Sequence, residues 1–246
     1  MSGETAWRIG ERTLRGAAGS VTGNRYDRNY DVLHLDGDRP LAIIADGMGA
    51  GEGSAAAGRL AVDTFAREHT GPSPAALRAA VDQVHSAVRR RSRTLDGLTG
   101  CTLTALTGAG DDGEAAVRIT QLGDSRAYRL RGGLLELLTV DHTVAWLGLV
   151  HGWYAASDAR AHADGYRLTR YAGHPDHPAP DVLDVALLPG DRLLLCTDGV
   201  SGQLDYQTLS RLLAAGTPAA VVRALLDATL TAGGQDNATA IALTVT

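Results

Sequence analysis

Apolar positions along this chain come in short runs with two rhythms. Five in a row fill LAIIA (41–45), and DVLHL lies just upstream across the turn residues DGDRP, which predicts a strand pair. The rhythm then changes to the helical one in SAAAGRLAVDTFAREH and SPAALRAAVDQVHSAVRRR. The second of these follows Gly71-Pro72, with Ser73 suited to the N-cap and Pro74 to the first helical position. Strand patterns resume in CTLTALT, AAVRITQLG and RAYRLRGGLLELLT, where Gly132-Gly133 marks a hairpin turn. A short helical and irregular stretch from 143 to 180 precedes the strands DVLDVAL and RLLLCT, helices near 206–232, and a last strand, ATAIALTV. There is no internal repeat and no low-complexity linker. Strands and helices fall in separate blocks, which predicts an α+β architecture with largely antiparallel sheets.

Laying carboxylates on these elements changes the picture. Asp46 follows LAIIA, Asp124 follows ITQLG, Asp198 follows RLLLCT, and Asp236 precedes NATAIALTV, each beside a glycine or another small residue. Aspartate next to glycine also caps turns throughout proteins, but four in one setting favour a shared role. Strand ends give rigid positions, and glycine lets a carbonyl or a bulky anion approach. Hard oxygen donors without His/Cys ligand spacing suit Mg²⁺ or Mn²⁺ better than zinc. On this reading Asp46 in LAIIADGMGAGEG is aimed at a cation, and the bare glycines leave room for the metal, its waters and a phosphate.

Composition removes other classes. The chain has 246 residues, 44% of them apolar, and a net charge of −5, so no phosphate-backbone partner is expected. Arg89-Arg90-Arg91 and Arg93 read as a solvated helix face. All 23 basic residues are arginine, which excludes a lysine Schiff base or a Walker-type phosphate lysine. No apolar run reaches the roughly 18 residues of a membrane helix, and the N-terminus is too polar for a signal peptide. Cys101 and Cys196 lie in apolar segments and read as buried thiols. A cytoplasmic monomer with no membrane or nucleic-acid partner is the expectation.

Taken in order, N29-Y30-D31, D46-G47-M48-G49, G100-C101-T102, L122-G123-D124-S125-R126-A127-Y128, L138-T139-V140-D141-H142, L168-T169-R170, D191 through G199 and D236-N237-A238-T239 resemble the motif series of the metal-dependent serine/threonine protein phosphatases (PPM, type 2C) in their bacterial form. The resemblance covers roughly residues 19 to 245. It implies a four-layer α/β/β/α sandwich, with two antiparallel sheets face to face, flanked by helices, forming a single catalytic domain over 1–246. A dinuclear Mn²⁺ or Mg²⁺ centre would lie in a cleft at one end, with a third, weaker site. By residue, Asp46 resembles the carboxylate bridging both metals and the Gly47 carbonyl a ligand of the second. Asp198 and Asp236 resemble ligands of the first, Asp124 the ligand of the third, and Asp31 an acidic group acting on the second through water. Residues 143 to 173 take the place of the mobile flap.

The activity so implied is hydrolysis of phosphoserine or phosphothreonine on proteins by a water bridging two metal ions, with no protein nucleophile. The implied partners are phosphoprotein substrates and a serine/threonine kinase. The chain departs from the pattern in several places. Tyr26 stands where the family's phosphate-binding arginine falls, leaving Arg25 and Arg28 as candidates for that contact. Tyr30 replaces an acidic residue, Met48 stands where eukaryotic relatives carry a proposed general-acid histidine, and the loop after Asp46 is short. His142 reads as structural or flap-positioning, and His174 and His177 as solvent-exposed. Two other functions fit the sequence: a pseudophosphatase that binds and regulates without turnover, and a phosphatase of a small phosphorylated metabolite.

Overall fold

The computed structural model describes residues 4–110, 114–214 and 216–246. In chain order they form strands β1 (Thr5–Ile9), β2 (Arg12–Val21), β3 (Val32–Leu35) and β4 (Leu41–Ala45), then helices α1 (Glu52–Glu68) and α2 (Pro74–Ser92). Strands β5 (Leu103–Gly108), β6 (Ala116–Leu122), β7 (Arg126–Arg131) and β8 (Leu134–Leu137) follow, and then the short helices α3 (Val144–Val150) and α4 (Ala159–Gly165). The remainder is β9 (Asp181–Ala186), β10 (Arg192–Cys196), α5 (Asp198–Ser201), α6 (Tyr206–Leu213), α7 (Pro218–Thr231) and β11 (Ala238–Val245).

All pairings are antiparallel. One sheet runs β1-β2-β11-β10-β7-β8 and the other β3-β4-β5-β6-β9. Side chains alternate across each strand, and this alternation builds the layers. From β4, Ala42 and Ile44 face the other sheet, while Leu41, Ile43 and Ala45 pack with Phe65, Leu77 and Val84 of α1 and α2. From β11, Ile241 and Leu243 enter the space between the sheets. Ala238, Ala240 and Ala242 meet Val221, Val222 and Leu225 of α7. These central strands are buried on both faces, so their sequences read as unbroken apolar runs. Each large aliphatic side chain so buried stabilises the fold by about 1.5–3 kcal/mol. The result is the expected four-layer α/β/β/α sandwich.

Local signals place the helix and turn boundaries. The Ser73 hydroxyl accepts from Ala76 N at 3.2 Å with Pro74 opening α2, a cap worth about 1 kcal/mol. Gly132 and Gly133 turn between β7 and β8 with φ of 56° and 83°, the paired positive angles of a type I′ hairpin. Cys101 and Cys196 are free and buried. Among the described residues no helix is long and apolar enough to cross a membrane. The pattern reading assigned no strands to β1 and β2 and gave no helix to α5.

Candidate metal centre

Two antiparallel strand pairings bring the carboxylates together. In one sheet, β10 and β11 lie side by side with Cys196 opposite Ala240, so the residues just past Cys196 and just before Ala238 meet at one end. Asp198 opens α5 there, and Asp236 lies in the approach to β11, its own Oδ1 accepting from Asn237 N at 2.8 Å. In the other sheet, Asp46 leaves β4 beside β5. Its N–H donates to Thr102 Oγ1 at 2.9 Å, and its carbonyl accepts from Thr102 N at 2.8 Å. Thr102 Oγ1 lies 2.7 Å from Ser125 Oγ, tying in the loop that carries Asp124.

Asp46, Gly47, Asp124, Asp198 and Asp236 line one cleft of about 460 Å³. Arg25, Tyr26, Tyr30, Met48, Leu98, Thr102 and, from beside α4, Tyr166 and Leu168 complete its walls. Arg28 is not among the lining residues, so of the two candidate arginines only Arg25 reaches the cleft. Asp31 does not line it either. It is buried behind the floor, where one oxygen, Oδ2, accepts from Thr197 Oγ1 at 2.9 Å and from Thr239 Oγ1 at 2.7 Å.

The glycines after Asp46 do different jobs. A Cβ on Gly47 would run into Ser54 Oγ and lie 2.8 Å from the Ser54 carbonyl oxygen. Close packing on α1, rather than room for a ligand, therefore requires glycine there. Gly49 and Gly51, with φ of 76° and 128°, face open space and need glycine for their backbone conformation.

Charge is the dominant property of the cleft. Burial raises the Asp46 carboxyl well above the ordinary range, and Asp31, Asp198 and Asp124 push it further. The same effects lift Asp31 to about 7, against the pull of its two threonine donors, and Asp124 to about 8. Asp236 is raised by burial and by Asp198. Like charges this close either take up protons or share cations. Two buried oxygens, Asp31 Oδ1 and Asp198 Oδ1, have no hydrogen-bond partner. Among the described residues no three His, Cys, Asp or Glu side chains are gathered closely enough to hold a metal ion by themselves. Hard oxygen donors, excess negative charge and orphaned carboxylate oxygens fit Mg²⁺ or Mn²⁺.

Two histidines brace the segment that leads away from the cleft. His142 Nδ1 accepts from Gly123 N at 3.2 Å while Nε2 donates to Asp181, which also accepts from Arg170. His85 Nδ1 accepts from Gly173 N, its Nε2 donates to the Pro178 carbonyl, and the exposed His177 ring stacks on it with centroids 5.0 Å apart. His174 is only partly exposed. Burial lowers the pKa of both His85 and His142. The unfolded chain takes up these protons near pH 6.5 and the folded one only at lower pH, so stability present above 6.5 is lost as the pH falls. With Mg²⁺ present, the urea midpoint is expected to drop between pH 7 and 5.5, and His85→Gln to flatten part of that slope. An identical slope in the variant would contradict this assignment.

A cleft of gathered aspartates at one end of a sandwich of antiparallel sheets is a site suited to divalent cations. The protein phosphatase 2C model matches residues 16–231, and the chain belongs to that family. The serine/threonine protein phosphatase PstP of Mycobacterium tuberculosis is 32% identical over 236 residues, 93% of this chain. The chain spans only 44% of that relative's length. Among solved structures, the PPM Ser-Thr phosphatase MsPP from Mycobacterium smegmatis, in complex with cacodylate, superposes with a TM-score of 0.83 at 30% identity, over 93% of this chain and 97% of that one. The catalytic domain of PstP in complex with two manganese ions gives 0.78 at 30% identity, over 95% and 99%.

The wall contributed by Leu98 was not anticipated from sequence, and Tyr166 and Leu168 were placed only within the flap span. Tyr166 and Leu168 come from the stretch whose pattern is irregular. They reach the cleft because the turn after α4 is drawn back by an isolated bridge between Thr143 and Leu168.

Proposed function

We propose that this chain hydrolyses phosphoserine and phosphothreonine on proteins with the help of two Mn²⁺ or Mg²⁺ ions. The observation that carries this reading is the convergence of Asp46, Asp124, Asp198 and Asp236 in one cleft, where burial and neighbouring carboxylates raise Asp46, Asp124 and Asp236 and favour a cation. Family membership and the two manganese ions of the PstP catalytic domain support it.

Asp46 would bridge two ions, Asp198 and Asp236 would complete one, and the Gly47 carbonyl would serve the other. Asp124 would hold a third ion more weakly, and Asp31 would act from behind the floor. When bound, such a pair of ions lowers the pKa of a water between them and neutralises phosphoryl oxygens. The chain's own residues hold the geometry. Thr102 fixes the backbone of Asp46, Asn237 accepts from Tyr30 N at 2.8 Å, and Arg25 supplies positive charge at the rim. The whole chain acts as one catalytic domain, with residues 143–173 as its flap.

The test is turnover of p-nitrophenyl phosphate and of a phosphothreonine peptide with Mn²⁺, with Mg²⁺ and with chelator. Metal-dependent hydrolysis, faster on the peptide, is expected. No turnover in a folded sample that binds metal would replace this reading with a pseudophosphatase. A preference for small esters would point to a metabolite substrate.

A further inference from the structure

The floor of the cleft consists almost wholly of acceptors. A phosphoryl group brings more of them, so its oxygens need donors from the walls. Few wall donors are both rigid and close. The Thr102 hydroxyl is engaged with Asp46 N and Ser125, the unpartnered Asn237 Nδ2 is fully buried, and Tyr166 is 71% exposed beyond α4.

Tyr26 is placed differently. Its ring is fixed on two sides, by the edge-to-face ring of Tyr30 with centroids 5.8 Å apart and by the Arg25 guanidinium 5.4 Å from its centroid. Both neighbours line the same cleft. Among the described residues the Tyr26 hydroxyl has no hydrogen-bond partner. It shares the cleft with Asp46, Asp198 and Asp236. A phenol ordinarily ionises near pH 10, so the hydroxyl is a donor at neutral pH.

We infer that the Tyr26 hydroxyl donates a hydrogen bond to a non-bridging phosphoryl oxygen of the substrate, with Tyr30 and Arg25 holding the ring in position. This rests on the phosphatase reading above and assigns the phosphate contact to a neutral donor. Arg25, lying over the ring face, contributes its charge from one side without having to make that contact itself. The bond needs no change in ionisation and no additional reactant.

The closing experiment is Tyr26→Phe, which keeps the ring, its stacking and the fold, assayed in parallel with the unmodified protein in Mg²⁺. A hydrogen bond to a charged group, once lost, lowers kcat/KM by about tenfold or more. The loss is expected equally for p-nitrophenyl phosphate and for a phosphothreonine peptide, because the contact is to the group they share. The competitive inhibition constant of inorganic phosphate should rise by a similar factor, while Mg²⁺ affinity by calorimetry and the thermal midpoint stay unchanged. Rates and phosphate inhibition within about twofold of the unmodified protein would overturn the inference. So would a loss confined to the peptide, which would make Tyr26 a peptide contact, or weakened Mg²⁺ binding, which would make it a support of the metal centre. Absence of metal-dependent turnover in the unmodified protein would instead sink the phosphatase reading, and this inference with it.

Discussion

Asp46→Ala is expected to remove turnover by at least about 10³-fold while leaving the chain folded, because in the proposed centre its carboxylate would serve both ions at once. The supporting geometry does not depend on that side chain. The backbone of Asp46 is held by Thr102 through its N–H and its carbonyl, and both bonds survive the substitution. The metal-free variant is further expected to melt a few degrees higher than the unmodified protein, since one member of a crowded set of like charges is gone. Calorimetric melting with chelator, together with single-turnover assays in Mn²⁺, checks both halves. Retained activity would dismiss Asp46 as a ligand, and a lower metal-free midpoint would mean that the cluster does not repel itself as described.

The second large effect lies in the backbone. A methyl group on Gly199 would sit on the Asn237 carbonyl oxygen, 2.8 Å from its carbon and 3.3 Å from Ala238 Cα. Main chain cannot step aside as a flexible side chain can, so Gly199→Ala is expected to cost about 3 kcal/mol, lowering the melting temperature by roughly 6–12 °C. The damage is directional. Gly199 follows Asp198 and Asn237 follows Asp236, so relieving the clash pushes those two carboxylates apart. Metal affinity measured by calorimetry should therefore fall together with stability. Gly133→Ala is the control. It sits at a φ of 83° in open space, and its expected cost of about 1 kcal/mol comes without loss of metal affinity.

What could be read from the sequence followed burial. LAIIA, RLLLCT and ATAIALTV announce themselves because both faces of β4, β10 and β11 are covered, and the aspartates at their ends gather as the shared context suggested. The Ser73-Pro74 cap and the Gly132-Gly133 turn were equally plain, since each is a local device with a local signature. Strand β2 was not, because GAAGSV carries small residues whose strand state is imposed by pairing with β11. Gly47 shows another limit. Glycine next to an aspartate suggested space for a ligand, and only the packing of Ser54 reveals a steric reason. Asp31 was singled out through family resemblance alone, and its position behind the floor follows from Thr197 and Thr239 meeting across adjacent strands.

Asp46 follows β4 of one sheet, Asp198 and Asp236 adjoin β10 and β11 of the other, and Asp124 lies in the loop that crosses from β6 of the first to β7 of the second. The cleft is therefore a seam, and cations held in it would act as rivets between two halves that are otherwise joined by side-chain packing and by the bonds of Asp31 to Thr197 and Thr239 and of Tyr30 N to Asn237. Rivets of this kind slow the parting of the layers more than they alter either layer. The protein's lifetime against proteases would then track the free magnesium and manganese around it, linking its abundance to the ions on which its chemistry depends.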